Sequence, residues 1–135
     1  MNHHKIIFSI WIQLIRQKRR ALMKYSMFIG RWQPWHKGHR WLIDQRLNQN
    51  KNVLICIRDM KTDENNPFTP EQVKANVEQE LSDLIKSKKV KVIIIPDIES
   101  VNYGRGVGYD IIEHVPPKKI KEISATKIRK EIFKK

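Results

Sequence analysis

The chain has 135 residues, which is the size of a single domain. With 40% hydrophobic and 30% charged residues, the composition excludes a chain that is disordered throughout. The net charge of +13 lies mainly at the two ends. Residues 1–22 hold five basic and no acidic residues, residues 116–135 carry a net +6, and the long middle part carries only +2.

The first 22 residues differ from the rest. Their apolar run, Ile6–Ile15, is followed at once by four basic residues, Arg16, Lys18, Arg19 and Arg20. This order is the reverse of a secretory signal, and the run is too short to span a membrane. Either it is a basic helix on an anionic membrane surface, or it is not part of the native protein. We favour the second reading, because domain signals begin directly afterwards. The predicted division is therefore an extension, residues 1–22, and a domain, residues 23–135.

Three short apolar runs predict strands, namely Tyr25–Ile29, Val53–Ile57 and Val90–Ile95. The second and third are almost continuous and rich in β-branched residues, which is typical of strands buried on both faces of a parallel sheet. The only cysteine, Cys56, lies in the second run and has no internal disulfide partner. It indicates a buried thiol in a reducing, cytoplasmic compartment.

Two helices are predicted between these strands. The first begins near Gly38–His39. The second has Thr69 as its cap, Pro70 at its first position and Gln72 completing a capping box, and its apolar spacing continues to Ile85. The alternation of strand and helix predicts an α/β fold, a compact Rossmann-like parallel sheet with flanking helices.

The last third of the chain is less regular. A glycine-rich loop, Ser100–Gly108, precedes a short predicted strand, Asp110–Val115. Two prolines follow, and the spacing then predicts a terminal helix from about Ala125 to Phe133.

The segment GRWQPWHKGHRWLI, Gly30–Ile43, joins the first strand to the first helix. It places His36, Lys37, Gly38 and His39 at the carboxyl edge of the sheet, where open α/β sheets bind ligands. The free amides at a helix N-terminus favour a phosphate at this edge, and Gly38 lets the backbone approach that phosphate closely. Each imidazole can donate a hydrogen bond to a phosphoryl oxygen, and a protonated imidazole also adds positive charge. Incidental surface histidines are the alternative. A metal site is not predicted, because no third Cys or His completes a zinc set.

A second segment, ISATKIR at Ile123–Arg129, opens the terminal helix. Ser124 is its predicted cap, and the first free amides together with Arg129 would form a second anion site. Two such helix N-termini converging on one cleft would suit a nucleoside triphosphate.

Together, HxGH and ISxTxIR resemble the paired signature of the nucleotidyltransferase superfamily of adenylyl- and cytidylyltransferases. The wording GRWQPWHKGH is similar to the GRFQPFHxGH of archaeal-type nicotinamide-nucleotide adenylyltransferases, and residues 66–69 resemble their NPFT segment. The resemblance runs from residue 23 to the C-terminus and is weakest over Glu99–Glu122.

The resemblance implies roles for the residues of both motifs. His36 would contact the nucleotide phosphates, and His39 would stabilise the transition state at the α-phosphorus. The other implied catalytic residues are Lys37 and Arg129, and the implied nucleotide-binding residues are Gly30, Arg31, Gly38, Ser124 and Thr126. The acceptor would attack in line, and pyrophosphate would leave with Mg²⁺.

The acceptor-binding residues are predicted after the second and third strands. Arg58 and Asp59 either touch the acceptor or form a solvated surface pair. The loop Ser100–Tyr109 either closes over the substrate or is a shortened connection whose glycines only permit tight turns. We favour closure, because Arg and Tyr are unusual in plain glycine linkers. The residues that would then contact the acceptor are Asn102, Tyr103 and Arg105.

The predicted function is transfer of AMP from ATP to a small phosphate-bearing acceptor, nicotinamide mononucleotide being the first candidate. Use of CTP is the alternative, and phosphopantetheine and sugar or polyol phosphates stay open as acceptors. From other classes, an inactive nucleotide-binding domain and a basic nucleic-acid-binding module remain. Members of the resembled family usually carry another strand and helix between the third strand and ISxTxIR, where only residues 98–122 remain here. The acceptor pocket would then be incomplete in one chain, which predicts a homo-oligomer.

Overall fold

A computed structural model describes residues 3–134, with side chains for residues 5–16 and 23–134. In chain order the elements are α1 (His3–Leu22), β1 (Tyr25–Gly30), α2 (Lys37–Leu47), β2 (Asn52–Asp59), α3 (Pro70–Glu80), α4 (Ser82–Lys86), β3 (Val90–Pro96), α5 (Lys118–Lys121) and α6 (Ala125–Ile132). The start of the predicted extension, residues 1 and 2, lies outside the described part.

The three predicted strands are confirmed and form one open parallel sheet in the order β1-β2-β3. Ile55 in the central strand is in register with Phe28 on one side and with Val92 on the other. With helices flanking the sheet, the α/β Rossmann-like class is confirmed. Because all three strands run the same way, their carboxyl ends meet at one edge, and the segments that follow them meet there too.

The core is centred on β2, as its continuous apolar sequence predicts. Ile55, Cys56 and Ile57 are consecutive and all buried, so both faces of this strand are covered. The other buried core residues are Trp32, Ile43, Val53, Val73, Val77, Leu81, Val90 and Val92. The predicted burial of Cys56 is confirmed, and burial raises the pKa of its thiol.

The second predicted helix starts as expected but is shorter. Thr69 accepts a hydrogen bond from the Gln72 amide, and the Gln72 side chain accepts one from the Thr69 amide, so the capping box is confirmed. The prediction of one helix through Ile85 is wrong. The chain leaves helical geometry at Leu81, with φ −112° and ψ 23°, and resumes as α4. This bend lets Leu81 stay buried while Ile85 still packs on the core.

The predicted strand Asp110–Val115 is wrong, because the segment is irregular. A strand needs a neighbour for its N–H and C=O groups, and within residues 3–134 the sheet contains only β1, β2 and β3. The terminal helix is confirmed as α6. It is preceded by a short helix, α5, which the sequence analysis missed although Pro117 at its start is a helix signal.

The extension is helical over His3–Leu22, which is α1. Most of the apolar side chains described in it are exposed, among them Ile7, Phe8 and Trp11. Among the described residues, no helix is long and apolar enough to cross a membrane.

Candidate functional site

Two histidines cap the start of α2 and hold each other in place. His36 is the N-cap, and its Nδ1 accepts a hydrogen bond from the Gly38 amide at 3.0 Å. In return, Nδ1 of His39 accepts one from the His36 amide at 3.2 Å. The two rings stack with their centroids 3.6 Å apart. This is a capping box in which histidines occupy both positions, and we refer to residues 36–39 as the α2 cap.

This geometry determines what the two rings offer to a ligand. Because Nδ1 accepts a hydrogen bond in both, each neutral ring carries its proton on Nε2. Burial lowers the pKa of His39 to about 3, and the neighbouring His36 adds to the shift. Burial also lowers the pKa of His36. At neutral pH both rings are therefore neutral donors through Nε2–H, and the charge that a protonated histidine would bring is not expected.

Two glycines near the cap are required by close packing within the chain. A Cβ on Gly38 would lie 2.7 Å from Cε1 of the His36 ring, which folds back over it. A Cβ on Gly30 would lie 2.9 Å from Cε2 of Trp32. The family resemblance implies nucleotide binding for both glycines, whereas the structure gives each a packing reason that needs no ligand.

Trp32 links the end of β1 to His39. It adopts a left-handed backbone conformation, with φ 53°, and its indole N–H donates to the Cys56 carbonyl at 3.1 Å. The His39 ring packs edge to face against the Trp32 ring, with their centroids 4.8 Å apart. The centroid of the Trp35 ring lies 5.4 Å from that of Trp32 and 5.4 Å from that of His39. These aromatic rings exclude water from His39, which accounts for its lowered pKa.

The second predicted motif is joined to the first by a direct hydrogen bond. Ser124 caps α6 by accepting from the Lys127 amide at 3.1 Å, as predicted. Arg129 is only 8% exposed. Its Nη1 donates to the Gln33 carbonyl at 2.7 Å, and its Nη2 donates to the Thr126 hydroxyl at 3.3 Å. The Nη1 bond therefore holds α6 to the segment between β1 and α2, whereas the Nη2 bond stays within α6.

Gln33 is a functional candidate that the sequence analysis missed. Besides accepting from Arg129, it exchanges two hydrogen bonds with the Phe68 backbone, at 2.8 and 3.0 Å. It thus connects three segments that are far apart in the sequence. The position of Gln33 inside the GRWQPWH motif is the sequence feature that could have identified it.

A pocket of about 280 Å³ opens beside the α2 cap. Its lining residues are His36, Gly38, His39, Trp41, Leu42, His114, Pro116, Ile120, Lys121 and Ile123. His114 and Lys121 were not predicted. His114 stacks on Phe28 of β1 at 6.1 Å, and no periodicity in the sequence marks it. The pocket combines apolar walls with imidazole and ammonium groups.

Two further predicted site cations are exposed: Arg31, predicted for nucleotide binding, directly follows β1, and Lys37, predicted as catalytic, is the first residue of α2. Arg31 also acts on Asp63, whose pKa is lowered first by a hydrogen bond from the Asn66 side chain and further by this positive charge. Thr126 is exposed on α6.

Arg58 is engaged at the edge of the sheet. Its Nε and Nη2 both reach Oδ1 of Asp97, at 2.9 and 2.8 Å, and Nη2 also donates to the Ile98 carbonyl. The predicted alternative of a surface pair between Arg58 and Asp59 is wrong, because Asp97 after β3 is the partner. Asp59 is exposed at the end of β2.

The structure does not bring the predicted loop residues to the α2 cap. Asn102, Tyr103 and Arg105 are all exposed, and Asn102 donates to the Ser100 hydroxyl within the same loop. An open concavity of about 520 Å³ is lined by residues 103–111 of the loop itself. Closure of this loop over a substrate stays a prediction.

Among the side chains described, those of residues 5–16 and 23–134, no group of three or more His, Cys, Asp and Glu is placed to hold a metal ion. Mg²⁺ in nucleotide enzymes is bound largely through substrate phosphates and water. Binding of Mg²⁺ together with a triphosphate stays a prediction.

The chain is similar to the nicotinamide-nucleotide adenylyltransferase of Pyrococcus furiosus, with 30% identity over 98 residues. The matched part covers 71% of this chain and 51% of the relative, so the chain spans about half the length of the curated relative it matches. No protein-family model matches the chain. The similarity supports a distant, nucleotidyltransferase-like relationship.

Proposed function

We propose that the protein is a nucleotidyltransferase that moves AMP from ATP to a small phosphate-bearing acceptor and releases pyrophosphate. The observation that carries the proposal is the bond from Arg129 to the Gln33 carbonyl. It ties the last turn of α6 to the segment that leads into the α2 cap. We infer that the starts of α2 and α6 act on one polyphosphate, and the similarity to an adenylyltransferase supports this inference.

The α2 cap would act on the phosphates through neutral donors. The Nε2–H groups of His36 and His39 and the free amides at the start of α2 can donate to phosphoryl oxygens. Such donors stabilise the transition state where charge develops on the α-phosphoryl oxygens, and they need no proton transfer to do so. The exposed Lys37 and Arg31 would supply the positive charge that the histidines lack.

The pocket beside the cap would take the nucleoside. Trp41, Leu42 and Ile120 give it apolar walls suited to a base, and Lys121 and His114 give it polar contacts. Its volume of about 280 Å³ is at the small end for a ligand site, so part of a nucleotide would stay outside it. The N-terminus of α6, with Ser124 and Thr126, would hold the outer phosphates.

The reaction would be a single in-line displacement. An oxygen of the acceptor phosphate attacks the α-phosphorus, the bond from this phosphorus to the bridging oxygen breaks, and pyrophosphate leaves with the electron pair. Mg²⁺ bound to the triphosphate would neutralise charge on the leaving group. The chain itself supplies positioning and hydrogen-bond donors. Arg58, Asp59 and the loop residues Asn102, Tyr103 and Arg105 are proposed for the acceptor side.

Pyrophosphate release by the full chain tests the proposal. ATP and CTP are supplied separately with Mg²⁺ and with nicotinamide mononucleotide, phosphopantetheine or a sugar phosphate. We expect release with ATP and one acceptor, and loss of release in the variant His39→Asn. ATP binding by calorimetry without release from any pair would instead support an inactive nucleotide-binding domain. Release with CTP alone would make the protein a cytidylyltransferase.

A further inference from the structure

Helix α1 carries a sharply divided surface over residues 5–16. At 100° per residue, its four polar residues fall within about 80° of one another, and every other position in this range is apolar. The polar residues are Lys5, Ser9, Gln13 and Arg16. The helix therefore has a narrow polar side and a broad apolar side.

The described part of the chain does not cover the apolar side. Ile7, Phe8 and Trp11 are 61–65% exposed, and within residues 5–16 only Ile12 is even half-buried. A contiguous exposed apolar surface of this kind marks a contact site, because leaving it in water is unfavourable.

We propose, in favour of the first of the two alternatives given for residues 1–22, that this segment belongs to the protein and that α1 docks on an anionic lipid surface, lying in the plane of the membrane interface. Charge complementarity supports this occupant, because residues 1–22 carry five basic and no acidic residues and the cluster Arg16–Arg20 directly follows the apolar run. Trp11 and Phe8 are side chains that favour the interface. The helix lies along the bilayer, since no described helix is suited to cross it.

The same charge argues against a second copy of the chain as the occupant. Pairing two α1 helices along their apolar sides would bring together two segments of net charge +5. The positive charge of residues 1–22 strengthens binding to an anionic surface, whereas it opposes the pairing of two copies of α1. The inference does not depend on the proposed enzyme function.

Co-sedimentation of the full chain with lipid vesicles tests the proposal. One set of vesicles contains phosphatidylcholine alone, and the other contains phosphatidylglycerol as well. We expect binding to the anionic set and little to the neutral set, weakening at least tenfold between about 0.1 M and about 1 M salt. Equal binding to both sets, or no binding to either, would overturn the proposal.

Two matched variants separate the apolar side from the polar side at constant charge. Trp11→Gln with Leu14→Gln should weaken binding to anionic vesicles at least tenfold, whereas Ser9→Gln with Gln13→Ser should leave it unchanged. Equal effects of the two pairs would overturn the docking geometry. Light scattering without vesicles is the second readout. A dimer that the Trp11→Gln and Leu14→Gln pair abolishes would make a second copy the occupant and reject the lipid surface.

Discussion

The α2 cap and the loop after β3, residues 97–117, follow strands that end at the same edge of the sheet. The two regions differ in how far contacts within the chain fix their side chains. In the cap, each histidine Nδ1 already has a partner and the two rings are stacked. In the loop, every residue from 99 to 113 is exposed. The phosphate side of the proposed site is thus arranged before a ligand binds, whereas the acceptor side must be ordered by a ligand or a partner, at a cost in binding free energy.

The largest expected effect is on catalysis at the cap. In His39→Asn the side-chain carbonyl can still accept from the His36 amide, but the Nε2–H donor is lost. We expect kcat/KM for pyrophosphate release to fall by about 10²- to 10³-fold. Because the His39 ring packs against Trp32, Trp35 and His36, urea unfolding should also show a loss of about 1–3 kcal/mol at neutral pH, so activity is measured on samples that circular dichroism shows to be folded. The control is Arg40→Lys, one position along α2, which should keep full activity; near-normal turnover of His39→Asn would reject the assigned role.

The next effect concerns acid stability. The pKa of His39 is about 3 in the fold against 6.5 for a free imidazole, so between these values the unfolded chain binds more protons. The free energy of unfolding should therefore fall as the pH drops from 6.5 towards 3, and His39 alone contributes at most about 5 kcal/mol of this loss. Urea titrations across this range should show a flatter profile for His39→Asn. An NMR titration of His39 near pH 6.5 would contradict the buried, neutral ring.

A pair of glycine substitutions compares the two regions directly. Gly30→Ala places a Cβ 2.9 Å from the Trp32 ring and should cost about 1–3 kcal/mol of unfolding free energy. In Gly104→Ala, in the loop, the new Cβ has no atom within 4 Å, and the unfolding free energy should change by less than about 0.5 kcal/mol. Adding Trp32→Phe, which removes the contacted indole atoms, should recover part of the Gly30→Ala loss in a double-mutant cycle. An equal loss of unfolding free energy in Gly30→Ala and Gly104→Ala would contradict the proposed difference in packing between the two regions.

The smallest expected effect on stability is in the loop itself. Tyr103→Ala and Arg105→Ala should each change the unfolding free energy by less than about 0.5 kcal/mol, because both side chains are exposed. If the loop closes over the acceptor, KM for the acceptor rises while the affinity for ATP stays the same. A loss of stability above about 1 kcal/mol would mean that the loop is already docked on the domain.

Local patterns in the sequence were sufficient for the elements whose partners lie close by. The capping box of Thr69 and Gln72 involves residues three apart, and Ser124 caps α6 in the same way. The segment Asp110–Val115 shows the limit of this reasoning. Its composition resembles that of a strand, but a strand forms only where another strand accepts its backbone hydrogen bonds.

Partners in the site were harder to predict than positions. The sequence located His36, His39 and Ser124 at helix starts and Arg129 within the terminal helix. It could not reveal that Arg58 pairs with Asp97, 39 residues away, because any nearby acid was an equally good candidate. Nor did it identify Lys121 and His114 as part of the pocket, since neither lies in a recognisable motif.

Local sequence patterns were sufficient to predict β1, β2 and β3 in chain order, the burial of β2 and the location of both motifs, because these depend on residues within a few positions of each other. The bond from Arg129 to Gln33, 96 residues away, and the neutral state of His39 arise only in the folded chain. Both depend on which distant groups the fold brings together and on how much water it excludes, and neither quantity is encoded in a local pattern.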